Sequence, residues 1–279
     1  MTHPICKTCG VQYDESPGVP ASCMICDDDR QYVGWSGQEW TTLDELREGR
    51  INILKPVEPG LTSIVTAPRF GIGQHALLLR SPGGNVLWDC VSLIDDQTVA
   101  AVRALGGVSA VAISHPHYYG AMVEWSRAFG GAPILVHEAD RRWVARPDPA
   151  VAFWQGEILP LHDSITLVRC GGHFDGAAVL HWPAGAEGRG AILAGDVLQV
   201  CQDREHVSFM YSYPNYIPLP AHAVRRILAA LEPFDFDRIH GFLPGLTIDR
   251  GAKDAVARSA DRYLRAIGAI LDESVPPPL

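Results

Sequence analysis

Two histidines that follow a short apolar run constrain the fold of this chain more than any other feature. Residues 108–114 are apolar and rich enough in β-branched side chains to predict a buried strand. His115 and His117 come directly after it, and residues at i and i+2 share a face of an extended chain. A helical pattern then begins at Gly120 and runs to Phe129. Because open α/β sheets place their ligand sites at such strand ends, we expect both imidazoles to face one site.

Three later residues of metal-binding type stand in the same local context. His173 lies between glycines, Asp196 follows an apolar run, and His240 follows another. Each comes after a β-like segment and before a glycine or a loop, so all three are predicted to converge with the histidine pair at one edge of a sandwich.

Four cysteines near the N-terminus form a second predicted metal site, separate from the histidines. Two Cys-x-x-Cys pairs are separated by thirteen residues, and they comprise Cys6, Cys9, Cys23 and Cys26. Each pair can place two thiolates on a tight turn, and four thiolates in tetrahedral reach make a closed structural site, usually for zinc. A module this small has little apolar core, so the metal is expected to supply much of its stability.

Composition excludes several classes of function. The chain has 279 residues, 47% of them hydrophobic, with a net charge of −9. This acidic balance argues against nucleic acid as a partner and leaves a small molecule as the expected substrate. No apolar run of membrane-spanning length and no secretory pattern are found, so we expect no membrane association. The clustered cysteines favour a reducing compartment, the cytoplasm. The oligomeric state cannot be derived from the sequence.

The predicted organisation has four parts. Residues 1–36 form the cysteine module, and residues 37–62 form a linker with a short helix opened by a capping box at Thr42. Residues 63–272 form the main domain, and the proline-rich residues 273–279 form a flexible tail. The main domain is predicted to contain strands at 63–67, 74–80, 85–89, 108–114, 133–136, 165–169, 177–182, 190–195 and 236–240, with helices at 95–105, 120–129, 138–144, 220–231 and 252–271.

The site residues resemble those of the metallo-β-lactamase superfamily. His115-x-His117, the glycine-flanked His173, Gly195-Asp196 and His240-Gly241 occur in that family's order and at comparable spacing, and Val86-Leu-Trp-Asp89 resembles its early strand ending in a buried aspartate. The resemblance covers roughly residues 60 to 270. It implies an α/β fold of the αββα sandwich type, one or two zinc or iron ions, and hydrolysis of esters, thioesters, lactams or phosphodiesters.

One departure from the family pattern limits the number of metals. The family pattern is His-x-His-x-Asp-His, whereas Tyr119 and Gly120 stand at its last two positions here. Glycine offers no ligand, and a phenol is a poor ligand at neutral pH. His115, His117, His173 and Asp196 can complete one site, with His240 left for a degenerate second one. We therefore expect one catalytic and one structural metal, with zinc as the predicted ion at both sites and iron as the alternative.

The resemblance also gives the residues roles. A divalent ion with an open position lowers the pKa of bound water toward 7, which supplies a hydroxide for attack on an acyl carbon. Asp196 is expected to serve as ligand and local base, and Asp89 to orient a histidine. His240 is expected to hold or protonate the leaving group, and Tyr119 either to stabilise an oxyanion or simply to pack.

The sequence thus predicts a zinc-dependent hydrolase of small esters, thioesters or lactones, with a structural zinc ribbon. Two alternatives stay open. The Cys-x-x-Cys-Gly motif also resembles rubredoxin knuckles, and some proteins of the family hold di-iron sites, so the first alternative is an iron-containing redox protein. The second is a binding protein that has kept the fold and lost turnover. The aromatic stretch 210–216 either lines a pocket or covers the sheet.

Overall fold

The computed structural model of the chain describes residues 2–16 and 18–270, so the predicted tail at 273–279 lies outside the described residues. Its strands are β1 Ile5–Cys6, β2 Trp40–Thr41, β3 Ile51–Glu58, β4 Leu61–Ala67, β5 His75–Leu79, β6 Val86–Trp88, β7 Ala110–Ala112, β8 Ile134–His137, β9 Val151–Trp154, β10 Ile158–Pro160, β11 Thr166–Arg169, β12 Ala178–Trp182, β13 Ala191–Leu193, β14 Gln199–Val200, β15 Val207–Ser208, β16 Met210–Ser212, β17 Ile217–Pro218, β18 Arg238–His240 and β19 Thr247–Ile248. Its helices are α1 Leu43–Arg47, α2 Asp96–Ala104, α3 Met122–Ala128, the single turn α4 Gly185–Gly188, α5 Ala221–Leu231 and α6 Ala252–Ala266.

Two large sheets form the centre of the molecule. The first has seven strands in the order β3-β4-β5-β6-β7-β8-β9, and the second has six in the order β10-β11-β12-β13-β18-β19. Strands β6 to β9 run parallel, as does the β13–β18 pair, and the other pairs within these two sheets are antiparallel. The parallel strands explain the short, continuous apolar runs in the sequence, because such strands are buried on both faces.

The two sheets pack face to face through apolar side chains. Leu77 and Trp88 of the first sheet belong to one buried cluster with Leu167 and Leu180 of the second. Helix α3 contacts β7 and β8 on the first sheet, while α5 contacts β11 and α6 contacts β18 on the second. The predicted αββα sandwich is therefore confirmed, with helices outside and the core between the sheets.

Local signals place several elements where the sequence predicts them. Thr42 accepts a hydrogen bond from the backbone of Glu45, whose side chain accepts one from the backbone of Thr42, so the predicted capping box opens α1. Asp95 caps α2 by accepting from the backbone nitrogen of Thr98 at 2.7 Å. The predicted helix at 138–144 is instead a 3₁₀ segment, Glu138–Trp143.

The predicted linker at 37–62 needs correction. Its residues include all of β3, which is the edge strand of the seven-stranded sheet and pairs with β4 along most of its length. Its first residues also belong to the cysteine module, since β2 pairs with β1. The run Ile51–Glu58 was missed because its apolar residues are largely exposed or half-buried on a sheet edge and it carries Pro56.

The cysteine module packs directly on the sandwich. The backbone nitrogen of Gln12 donates to the carbonyl of Gly120 at 3.0 Å, and that of Asp14 donates to the carbonyl of Ala145 at 3.1 Å. Ser92 Oγ donates to the carbonyl of Gly10 at 2.6 Å. The module is thus held against the segment that carries the histidine pair. In residues 2–16 and 18–270, no helix has the length and apolar character that crossing a bilayer requires.

Candidate metal centre and pocket

Four of the predicted ligands converge at one end of the sandwich. His115, His117, His173 and Asp196 each offer one atom, and these atoms all lie within 4.8 Å of one another. Oδ2 of Asp196 lies 3.4 Å from Nε2 of His115, 4.0 Å from Nδ1 of His117 and 3.6 Å from Nε2 of His173. Three imidazole nitrogens and one carboxylate oxygen therefore surround a single point.

Strand ends bring these residues together, as the sequence predicts. His115 lies three residues after the end of β7 and precedes a 3₁₀ turn, Pro116–Tyr118, which contains His117. His173 lies in the glycine-rich turn between β11 and β12, and Asp196 follows β13. Since β7 and β13 belong to different sheets, the site forms where the two sheets meet at one edge.

Hydrogen bonds fix two of the histidine rings. Nδ1 of His115 lies 2.9 Å from Oγ of Ser114, which in turn donates to Asp89 at 3.0 Å. Nδ1 of His173 lies 2.8 Å from the carbonyl of Tyr211, which can only accept. In both rings the proton belongs on Nδ1, so Nε2 keeps its lone pair for a ligand. Asp89 thus orients a histidine, as expected, but does so through Ser114.

The electrostatics of the cluster favour neutral imidazoles beside an anionic carboxylate. Burial lowers the pKa of His117 to about 4 and lowers the pKa of His173 well below its ordinary value. Burial alone would raise the pKa of Asp196, but the three neighbouring histidines lower it below its ordinary value. Metal ligands must be deprotonated, and these shifts hold His117, His173 and Asp196 in that form at neutral pH.

The donor set fits a divalent metal ion. Nε2 of His115 and Oδ1 of Asp196 are buried and have no hydrogen-bond partner among the described residues. Buried polar atoms are normally paired, so two unpaired acceptor atoms in one cluster indicate a missing partner. Imidazole nitrogens and carboxylate oxygens are typical protein ligands of divalent metal ions such as zinc.

His240 does not join this cluster, and its predicted place among the ligands is corrected here. Its Nε2 lies 2.6 Å from Oε1 of Glu58 on β3. Oε2 of Glu58 accepts from Arg238 at 2.6 Å, so the three side chains form a largely buried, hydrogen-bonded cluster of their own. This engagement also removes His240 from the predicted role at the leaving group.

Tyr119 and Gly120 have structural positions. The hydroxyl of Tyr119 donates to the main-chain carbonyl of Asp140 at 3.2 Å and is buried, so the predicted oxyanion role of Tyr119 is wrong. Gly120 has a φ of +47°, and a Cβ there would lie 2.9 Å from the carbonyl oxygen of Cys90. The backbone thus fills the space that a ligand at position 120 would need.

The four predicted cysteine ligands also come together. Cys6 and Cys26 have sulfur atoms 3.6 Å apart, as do Cys9 and Cys23, and all four sulfurs lie within 4.8 Å of one another. Two donors point at this group from outside: Tyr13 Oη lies 3.2 Å from the sulfur of Cys23, and Gln38 Nε2 lies 3.3 Å from that of Cys6. Such contacts stabilise thiolates, which is the form that binds zinc.

A pocket of about 310 Å³ opens above the histidine cluster. His117 and Asp196 form its floor, and aromatic side chains form much of its wall. The remaining lining residues come from the cysteine module and from four loops, and they are Gln31, Tyr32, Arg69, Ile72, Gly73, Tyr118, Tyr213, Pro214 and Phe242.

Comparison with known proteins gives the family. The chain is 49% identical over 273 residues to a Bacillus subtilis (strain 168) protein described as uncharacterized protein YmaE, and the match covers 97% of this chain and 99% of that one. The chain belongs to the YmaE family. No model in a scan of protein families matches it.

Solved structures show the same fold. The metallo-β-lactamase DIM-1 superposes with a TM-score of 0.57 at 14% identity, covering 76% of this chain and 97% of DIM-1. FIM-1 from Pseudomonas aeruginosa, described in its mono-zinc form, gives 0.55 at 13% identity, covering 76% of this chain and 95% of FIM-1. A Cronobacter sakazakii enzyme gives 0.52 at 18%, covering 77% of this chain and 94% of that chain. The fold of the YmaE family member described here is that of the metallo-β-lactamases.

Several pocket residues carried little or no sequence signal. Tyr213 belongs to the aromatic stretch that the sequence left open between lining a pocket and covering a sheet, and it does line the pocket. Its hydroxyl also donates to the main-chain carbonyl of Asp196 at 2.6 Å. Gln31 and Arg69 stand in irregular segments with no periodic pattern, so nothing local marked them.

Proposed function

We propose that this protein is a metal-dependent hydrolase that cleaves small acyl substrates, namely esters, thioesters or lactones. The convergence of His115, His117, His173 and Asp196, with His117 and Asp196 at the floor of an open pocket, carries this proposal. A buried metal site with a purely structural role is normally closed, whereas a catalytic one keeps a position that substrate can reach.

Zinc is the proposed metal at both sites. Three imidazoles with a carboxylate suit a catalytic zinc ion, and four thiolates suit a structural one. When bound at the histidine cluster, the ion would supply a Lewis acid and lower the pKa of a water molecule. The corrected positions of Tyr119, Gly120 and His240 leave no second set of ligands nearby among the described residues, which supports one catalytic metal per chain.

Asp196 is the proposed base. Its Oδ1 has no hydrogen-bond partner among the described residues, and the low pKa of the group keeps it ionised at neutral pH. Tyr213 holds the main chain of Asp196 in place. Hydrolysis forms a bond between the water oxygen and the acyl carbon and breaks the C–O or C–S bond. The leaving group then receives the proton that Asp196 took from the water.

The size and charge of the molecule support a small substrate. About 310 Å³ lies at the lower end of small-molecule pockets, which span about 300 to 1,000 Å³. The net charge of −9 repels polyanions at long range, so nucleic acids are not proposed as partners. None of the seven cysteines, all of which lie in the described residues, forms a disulfide, which fits a reducing compartment, and we propose that the protein acts in the cytoplasm.

The test is metal-dependent turnover on a panel of 4-nitrophenyl acetate, an N-acetylcysteamine thioester and γ-butyrolactone. Removing the metal with 1,10-phenanthroline should abolish hydrolysis, and added Zn²⁺ should restore it. His117→Ala should lower kcat/KM by more than about 100-fold, because removing a metal ligand costs more activity than removing the hydrogen-bond partner of a ligand. Tyr119→Phe is the matched control and should keep wild-type turnover.

Three outcomes would contradict the proposal or favour an alternative. Equal hydrolysis by wild type and His117→Ala would show that the activity does not come from this site, and bound zinc without any turnover would favour a binding protein. Coloured protein that contains iron as isolated would favour the redox alternative.

A further inference from the structure

The cysteine module contributes a polar side chain to the pocket that the metal cluster does not use. Gln31 lies five residues after Cys26, the last cysteine of the module, and lines the pocket together with His117 and Asp196. The residue is 5% exposed, and its side-chain oxygen has no hydrogen-bond partner among the described residues. Because buried polar atoms are normally paired, this oxygen indicates a donor that a ligand would supply.

Gln31 is held in this position from several sides. Its backbone nitrogen donates to the carbonyl of Asp28 at 2.9 Å. Nδ2 of Asn215 donates to the carbonyls of Asp29 and Gln31 at 2.9 and 3.0 Å. The preceding residue, Arg30, donates to the carbonyl of His173 at 3.2 Å. The segment is therefore fixed to the loop that carries a metal ligand, and the unpaired amide is a built feature of the pocket.

Arg69 supplies a positive charge to the same pocket. No carboxylate within residues 2–16 or 18–270 forms an ion pair with it, although acidic residues outnumber basic ones in the chain. Its guanidinium donates to the carbonyl of Ile72, and its Nε lies 2.5 Å from where a Cβ would stand at Gly73. The glycine, with a φ of +83°, leaves the space that the arginine side chain occupies.

These two groups define what a ligand must offer. A guanidinium without an ion-pair partner pairs best with a carboxylate, and an unpaired amide oxygen needs an N–H or O–H group. Tyr32, Tyr213 and Phe242 supply an apolar wall for the rest of the molecule.

We infer that Gln31 and Arg69 select the substrate, and that this substrate is an acyl compound carrying both a carboxylate and an amide N–H or hydroxyl donor. The cysteine module is then part of the substrate site, because it supplies one of the two selecting residues. The inference rests on the proposed hydrolase function and adds the substrate class to it.

The test uses three matched 4-nitrophenyl esters. The parent is the 4-nitrophenyl ester of N-succinylglycine, which has a free carboxylate and one N–H group. The second has its carboxylate capped as a methyl ester, and the third has its N–H replaced by N–CH₃. Release of 4-nitrophenolate gives kcat and KM for each ester with wild type, Arg69→Gln and Gln31→Met. Two further variants, Gln97→Met and Arg80→Gln, serve as controls, because both residues are exposed and lie outside the pocket.

The expected result is a crossed pattern. Arg69→Gln should raise KM about tenfold for the parent and leave the methyl ester unchanged, because that ester has already lost the charge. Gln31→Met should raise KM about tenfold for the parent and leave the N-methyl ester unchanged. Unchanged kcat and metal content would show that both residues act on binding, and the two controls should match wild type on all three esters. KM changes that are the same for every ester, or absent, would overturn the inference.

Failure of the hydrolase proposal would be recognised separately. If wild type hydrolyses none of the esters, calorimetric titration of the zinc-loaded protein with N-succinylglycine itself becomes the readout. Weaker binding by both variants than by wild type would still support the two residues as selectors. Equal binding by wild type and both variants would overturn that role.

Discussion

The side-chain amide of Gln74 donates a hydrogen bond to the main-chain carbonyl of His117 at 2.9 Å. The same nitrogen also donates to the carbonyl of Cys9, a member of the other candidate metal site. Gln74 is 6% exposed, so water has little access to this site and cannot readily replace the amide as the hydrogen-bond donor to the two carbonyls. One buried amide therefore ties the cysteine module to the histidine that forms the floor of the pocket.

Gln74→Met should weaken both the fold and the catalytic metal site. The change leaves two buried carbonyls unpaired, and each such loss costs about 1–3 kcal/mol. We expect the free energy of unfolding to fall by about 2 kcal/mol or more, measured by urea denaturation, together with a higher zinc dissociation constant at the histidine cluster. Gln97→Met, at an exposed glutamine, should change neither quantity. An unchanged unfolding midpoint in Gln74→Met would contradict the link.

Cys9→Ser should remove one of two bound metals. The sulfur of Cys9 lies 3.6 Å from that of Cys23 inside the four-thiol group, and a serine hydroxyl is a poor zinc ligand at neutral pH. Metal analysis of protein purified without chelator should give about two ions per chain for wild type and about one for the variant. Limited proteolysis should cut residues 2–41 faster in the variant. Cys201→Ser, outside both groups, is the control, and unchanged zinc content in Cys9→Ser would remove the assignment of the four thiols as a zinc site.

The sequence predicted those parts of the site whose signals are local. His115, His117, His173 and Asp196 each follow a strand, and strand ends of a sandwich meet at one edge, so their convergence followed from order and spacing. His240 also follows a strand and looked equivalent. Its partner Glu58 lies 182 residues away, and no local pattern indicates that pairing.

Long-range packing explains the other differences. The side chain of Gln31 reaches the pocket only because the cysteine module packs on the sandwich, through contacts such as that between Gln12 and Gly120. Arg69 reaches the same pocket from the loop between β4 and β5. Strand β3 was missed for a related reason, since an exposed edge strand lacks the apolar pattern that marks a buried one. The fold class was predictable because its core strands are apolar and short. The wall of the pocket was not predictable from the sequence.

Glu58→Gln should destabilise the protein in a pH-dependent way. Burial alone would raise the pKa of Glu58, but contacts with His240, the Ala186 backbone and Arg238 lower it below its ordinary 4.5. A lowered folded-state pKa stabilises the protein above 4.5, and this contribution disappears as the pH falls through the folded value. We expect a loss of about 3 kcal/mol at pH 7, as for a broken buried pair, and a smaller loss below pH 4.5.

Urea denaturation of wild type and Glu58→Gln at pH 7, 5 and 4 measures this difference, with the exposed Glu232→Gln as the control. A destabilisation by Glu58→Gln that stays constant over this pH range would show that the carboxylate charge does not contribute.

His240→Ala should keep the catalytic metal, whereas His117→Ala should lose it. The ring of His240 pairs with Glu58 and lies outside the four-ligand group, while Nδ1 of His117 lies 4.0 Å from Asp196 within it. Metal analysis should therefore give about two ions for His240→Ala and about one for His117→Ala. His240→Ala should still be less stable, because Glu58 loses a buried partner. Loss of one metal on replacing His240 would show that it ligates after all.

Introducing the last two residues of the metallo-β-lactamase pattern His-x-His-x-Asp-His, by Tyr119→Asp with Gly120→His, should not create a second catalytic metal site. A Cβ at position 120 would lie 2.9 Å from the carbonyl oxygen of Cys90, and that obstacle is backbone, which cannot move aside as a flexible side chain can. The φ of +47° adds strain for any residue except glycine. An aspartate at position 119 would replace a buried phenol that donates to the Asp140 carbonyl, and would leave that carbonyl without its donor.

We expect the double variant to lose about 3 kcal/mol or more of stability, with metal content no higher than that of wild type. Tyr119→Phe alone separates the two effects, since it removes only the hydroxyl and should cost about 1 kcal/mol without changing the metal count. A stable double variant with three metals per chain would show that the loop can rearrange to admit the missing ligands.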